Sequence, residues 1–154
     1  MSERIIEIAA KDGGTFDGYL AVPDSGNGAG LVLLQEIFGV NQSMKETADL
    51  FAEEGYITLV PDLFWRIKPG TALGYSADEF QEAFGLMEKF DIDQGVEDIG
   101  AALKALRIMD QCTGKVGCIG FCLGGKLAYL TAARQTVDAA VSFYGIGIEG
   151  LLEE

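Results

Sequence analysis

Two short stretches rich in β-branched and aromatic residues, 4–10 and 15–22, flank Lys11-Asp12-Gly13-Gly14 and predict an antiparallel hairpin. After the loop Pro23-Asp24-Ser25-Gly26-Asn27-Gly28 the rhythm changes: Gly30-Leu31-Val32-Leu33-Leu34 is an unbroken apolar run, as in a strand covered on both faces. A helical period follows over 43–54, with Met44, Ala48, Leu50 and Phe51 as its apolar stripe. Ser43 stands at capping-box spacing from Glu46, and Gly55 is the stop. Residues 56–60 predict a second buried strand closed by Pro61-Asp62, and 63–75 an irregular, aromatic excursion. Residues 77–90 and 94–109 predict helices, the second with Val96, Ile99, Leu103 and Leu106 on one face and Gly95 and Gly100 as weak points. A strand over 115–120, a helix over 123–134 and a strand over 139–144 complete the series before the tail 145–154. Strands alternating with helices of these lengths predict one α/β domain over residues 1–154, a mostly parallel sheet with the hairpin at one edge.

Composition narrows the function classes. Lys plus Arg number 11 against 24 Asp plus Glu, a net charge of −13, which disfavours nucleic acid and anionic lipid as partners. No stretch approaches the roughly 18 apolar residues of a membrane span, and the charged start Met1-Ser2-Glu3-Arg4 does not read as a secretory leader, so the expectation is a cytoplasmic protein. The cysteines, Cys112, Cys118 and Cys122, are odd in number and not spaced as a disulfide framework, which fits a reducing compartment. The chain contains no histidine, and no metal site or other cofactor is expected.

The candidate chemistry lies in Gly120-Phe121-Cys122-Leu123-Gly124-Gly125, between a predicted strand and a predicted helix. A strand turning directly into a helix lifts its apex residue above the C-terminal edge of the sheet, where open α/β folds bind ligands. Glycines two positions to either side relieve crowding, and the helix N-terminus favours thiolate over thiol. The Leu123 amide is then placed to receive a developing oxyanion, with a second donor from the segment Glu36-Ile37 at the end of the neighbouring strand. The plainer account is that these glycines allow close helix-on-strand packing around a small core cysteine; the strand and helix context favours the nucleophile. Cys118, within a strand, reads as buried and inert, and Cys112, beside Gly114, as a loop residue without a role. Glu36 reads equally as a solvated strand-end residue or as a proton acceptor beside the thiol.

These blocks resemble the dienelactone hydrolase family, the cysteine branch of the α/β-hydrolase superfamily. The matching segments run in order: Gln35-Glu36-Ile37-Phe38-Gly39-Val40-Asn41, Pro61-Asp62-Leu63, Pro69-Gly70-Thr71, Phe90-Asp91, the elbow at 120–125 and Phe143-Tyr144-Gly145. The resemblance implies an α/β-hydrolase fold lacking the family's last strands and helix. It also implies a lactone or ester substrate, Cys122 as nucleophile and Glu36 as the carboxylate that helps generate its thiolate. The amides of Leu123 and Ile37 become the oxyanion hole, and Phe38, Phe84 and Tyr144 line the pocket.

The family's triad continues with an Asp and a His that fall beyond the last residue here. Where the family places an arginine for a substrate carboxylate, this chain reads Glu79-Phe80-Gln81-Glu82, and Phe84 replaces an expected tyrosine. Arg66 and Lys68 are nearby cations without an assigned role. The expectations are therefore a slow acylation without efficient turnover for this chain alone, and an apolar sheet edge open to self-association or to a complementing chain. Rival readings are a catalytically incomplete remnant or subunit that acts only with a partner, and a reactive-thiol redox sensor at Cys122.

Overall fold

The computed structural model of the protein describes residues 4–151. Six strands form one sheet: β1 (Arg4–Ala9), β2 (Thr15–Ala21), β3 (Gly28–Leu34), β4 (Tyr56–Pro61), β5 (Cys112–Phe121) and β6 (Ala139–Phe143), in spatial order β1-β2-β4-β3-β5-β6. β1 and β2 pair antiparallel, as do β2 and β4, whereas β3 pairs parallel with β4 and β5, and β5 parallel with β6. The hairpin and the parallel core are thus those expected from the sequence.

The apolar run of β3 is continuous because its side chains alternate between two covered faces. Val32 and Leu34, with Ile57, Leu59, Val116 and Cys118, meet helices α3 (Ile92–Arg107) and α4 (Leu123–Arg134). Leu33, with Val60 and Ile119, meets α1 (Gln42–Glu53) through Met44, Ala48 and Ala52. Val96, Ile99, Leu103 and Leu106 of α3 are all buried, as their period predicts. Among the described residues no helix is long and apolar enough to cross a membrane.

Several local expectations give way to tertiary chemistry. α1 is capped by Asn41, whose Oδ1 accepts from the Met44 amide at 3.1 Å, and not by Ser43; Leu50, assigned to the apolar stripe, is 61% exposed. Asn41 competes better for the cap because its amide also donates to Leu73 O, fixing it from both sides. α3 begins two residues earlier than the period indicates because Asp91 caps it, accepting from Gln94 N–H at 3.0 Å. Gly95 is no weak point, since a Cβ there would stand 2.3 Å from the Phe90 ring. Cys112 lies at the start of β5 rather than in a loop.

The excursion after β4 is ordered by two buried carboxylates. Asp62 accepts from Phe64 N–H and Gly70 N–H, at 3.1 and 2.8 Å, closing the loop on itself. Asp98, on α3 and 1% exposed, accepts from Trp65 Nε1 at 2.9 Å and from Arg66 Nε and Nη2 at 3.0 and 2.9 Å. Replacing Asp98 by Asn would leave Arg66 with only its outer partner Asp12 and misalign one acceptor. Because Arg66 is partly open to solvent the expected loss is about 2 kcal/mol, below the range for a fully buried pair. Urea unfolding of Asp98→Asn at neutral pH checks this, and an unchanged midpoint would contradict it.

α2 (Ala77–Lys89) follows the excursion, capped by Ser76. At the opposite end of the sheet β6 is outermost, and all five of its residues are exposed, with Val141 and Phe143 among the large apolar side chains open to solvent.

Candidate active site

β5 runs into α4 through a single residue, Cys122, at φ 59° and ψ −117°. A non-glycine residue in this region costs on the order of 1–3 kcal/mol and persists only where its surroundings hold it. Here the Cys122 N–H donates to Phe143 O at 3.1 Å, and its carbonyl accepts from Gly125 and Lys126 N–H at 3.0 and 3.2 Å. The glycines make this approach sterically feasible. A Cβ on Gly120 would lie 1.9 Å from Gly124 O, and one on Gly124 would lie 2.3 and 2.6 Å from the carbonyl oxygens of Leu34 and Gln35. Close packing and thiol presentation are therefore one feature, and Cys122 is half-buried at the rim, not a core residue.

The loop after β3 brings Glu36 to the same place. Gln35 is fully buried; its Nε2 donates to Glu36 O at 3.2 Å and its Oε1 accepts from Leu63 N–H at 3.0 Å. Further along, Val40 N–H donates to Thr71 O at 3.0 Å and Leu73 N–H to Phe38 O at 2.8 Å, so residues 36–40 are clamped against the excursion. The contact of Gly124 with Leu34 and Gln35 sets this loop against the first turn of α4, the elements that carry the Ile37 and Leu123 amides. Ile37, Phe38 and Leu123 are buried.

Burial pushes the Cys122 thiol above its ordinary range; the Leu123 amide beside the sulfur opposes this, and the Glu36 charge adds to it. The helix-terminus effect expected from the sequence is thus present, but desolvation and the facing carboxylate outweigh it, and the resting sulfur is a thiol at neutral pH. Burial likewise raises Glu36, while a hydrogen bond from Tyr75 lowers it. Tyr144, at φ 36°, is raised first by desolvation and then by the charges of Glu36 and Cys122, and its ring lies 6.1 Å from that of Phe121. The Cys118 thiol, buried in β5, is pushed up to about 12 and is chemically quiet.

Aromatic rings wall the cluster. Phe38 meets Tyr75 and Phe80 edge-on at centroid separations of 4.8 and 5.0 Å, and Phe121 stacks on Phe143 at 5.1 Å beside Tyr144. Phe84 packs on Phe80 at 5.6 Å, so its described link to the cluster runs through Phe80 and Phe38. Arg66 is committed to Asp98 and Asp12, and Lys68 pairs with Glu82, so neither nearby cation is presented to a ligand. Sequence reasoning missed Tyr75, and it named Gln35 and Asn41 only as members of a matching block, without a role. Asn41 carried a readable signal, an Asn immediately before a helical period, whereas nothing in the local pattern marks Tyr75.

A sheet with this order, helices on both faces and a nucleophile-type elbow between β5 and α4 is the α/β-hydrolase fold. The chain belongs to the dienelactone hydrolase family, whose profile matches residues 16–154. It is 42% identical over 150 residues to carboxymethylenebutenolidase of Pseudomonas putida, covering 97% of this chain and 64% of that one. It is 35% identical to carboxymethylenebutenolidase 1 of Cupriavidus pinatubonensis, covering 94% and 62% respectively. Among solved structures, a dienelactone hydrolase-like promiscuous phosphotriesterase from metagenomic libraries superposes with a TM-score of 0.64 at 26% identity, over 86% of this chain and 54% of that one. The chain thus spans somewhat less than two thirds of the length of the curated relatives it matches.

Proposed function

We propose that this chain carries the attacking half of a lactone or ester hydrolase within one domain. Cys122 gives its proton to Glu36, and its sulfur bonds to the substrate carbonyl carbon while the carbonyl oxygen takes the electron pair between the Leu123 and Ile37 amides. Collapse breaks the carbon–oxygen bond, and the departing alkoxide takes the proton from Glu36. Water then attacks the thioester, passing a proton to Glu36, and the carbon–sulfur bond breaks with that proton returning to the thiol. Phe38, Tyr144 and, further out, Phe84 form the apolar wall for the substrate. The observation that carries this reading is the strained Cys122 backbone, held at the sheet edge by three hydrogen bonds with Glu36 facing it. The carboxymethylenebutenolidase relatives support the lactone class.

Without histidine in the 154 residues, deacylation lacks a strong general base, a deficit typically worth about 10²–10⁴-fold. The acyl-enzyme should therefore accumulate. Incubation with an activated aryl ester or an enol lactone is expected to add one acyl group, located by peptide mass at Cys122, and the Cys122→Ala variant should gain none. Rapid multiple turnover by the chain alone, or acylation persisting in Cys122→Ala, would refute the scheme.

The exposed β6 supports a second element, a complementing chain or further copy pairing along that edge and making the unit catalytically complete. The free, odd-numbered cysteines support a cytoplasmic setting.

A further inference from the structure

We propose that Tyr75 is a positioning residue that orders the Glu36 carboxylate through a one-way hydrogen-bond chain beginning at Asn41; this rests on the role given to Glu36 above. Tyr75 Oη lies 3.4 Å from Asn41 Nδ2 and 3.5 Å from Glu36 Oε1. Asn41 is nearly buried and fixed on both sides, its Oδ1 taken by the Met44 amide and its Nδ2 donating to Leu73 O at 2.9 Å. That assignment leaves no choice of direction. A side-chain NH₂ can only donate, so Tyr75 accepts from Asn41, and its single hydroxyl proton is left for Glu36.

The consequence is specific to the charged form of Glu36. A donor aimed at a half-buried carboxylate favours ionisation and offsets part of the desolvation that pushes Glu36 upward. The ring is steadied by its edge-on contact with Phe38, two residues from Glu36, although the tyrosine itself is half open to solvent. The other titratable groups among the described residues that feel the Glu36 charge are Cys122, from the start of α4, and Tyr144, following β6. Both are neutral at the pH where Glu36 titrates, so the hydroxyl of Tyr75 is the nearby group whose removal changes that titration most directly. Tyr75 therefore lowers the pH below which Cys122 loses its proton acceptor.

The test is the carboxyl ¹³C titration of Glu36 in the full chain, with its resonance assigned by loss in Glu36→Gln. Tyr75→Phe keeps the ring and removes only the hydroxyl. Its Glu36 midpoint is expected to rise by about half a pH unit, a roughly three-fold gain in proton affinity, with a cooperative thermal transition retained. The acid limb of Cys122 alkylation by iodoacetamide, read at that cysteine by peptide mass, should move with it, and Tyr75→Phe should do nothing in the Glu36→Gln background. A Glu36 midpoint that is the same in Tyr75→Phe as in the parent overturns the assignment. That result leaves the nucleophile reading intact, which would instead fall if Cys122 alkylation in the parent ignored the Glu36 titration.

Discussion

Gly124→Ala is expected to destabilise the fold by about 4 kcal/mol or to prevent folding altogether. The added carbon would sit 2.3 Å from Leu34 O and 2.6 Å from Gln35 O, and both are backbone atoms. Neither can rotate away. Leu34 is in β3, paired with Gly120 in β5, and Gln35 is anchored by its bond to Leu63, so relief requires α4 to lift from the sheet. Lifting α4 would also break the Cys122–Phe143 bond that holds the strained apex. Gly85, on the open side of α2 with nothing within 4 Å of where a Cβ would stand, is the matched control. Gly85→Ala should stabilise by about 0.5–1 kcal/mol through helix propensity alone. Urea midpoints of the two variants check both signs; equal effects would mean that the elbow packing is looser than these distances imply.

Which parts of this molecule could be read before the structure follows from how far each signal reaches. β3 was legible as an unbroken apolar run because both of its faces are covered, and α3 because its buried residues recur at every third or fourth position from Val96 to Leu106. The start of α1 was misplaced by one competing side chain: Ser43 and Asn41 both satisfy local cap rules, and Asn41 wins through its bond to Leu73, 32 residues away. The aromatic excursion was opaque for the same reason, since Asp62 and Asp98 fold it by contacts that no period encodes.

The site divides likewise. Cys122 was visible because the elbow's steric demand writes glycines at fixed offsets from it. The segment Glu36-Ile37 could be placed at the end of the neighbouring strand, but the reading of Glu36 stayed open until the family resemblance, because a carboxylate after a strand has no period or spacing of its own. Tyr75 lay outside both signals. The direction of the Cys122 shift was also beyond sequence reasoning: the helix terminus is encoded locally, whereas burial and the facing carboxylate are not.

Glu36→Gln should separate reactivity from stability. At neutral pH the amide cannot accept the Cys122 proton, and acylation of Cys122 by an activated ester is expected to fall by about 10²-fold or more, the usual range for loss of a positioned base. Stability should move the other way. Glu36 is raised in the folded protein, chiefly by burial, so the folded state holds its proton to higher pH than the unfolded chain does. Its contribution is most favourable below the ordinary glutamate range near 4.5 and is lost as pH rises through the higher folded value, leaving a half-buried charge that costs stability at neutral pH. The glutamine variant has no such charge. It should unfold at higher urea than the parent at pH 7, and the difference should shrink as the pH is lowered toward 4 and Glu36 in the parent becomes neutral. Urea titrations at both values, paired with acylation rates at pH 7, test the two arms on one protein. A variant that acylates as fast as the parent would remove Glu36 from the mechanism. One that is less stable at pH 7 would mean that the hydrogen bond from Tyr75 outweighs desolvation, reversing the order of the two influences on this carboxylate.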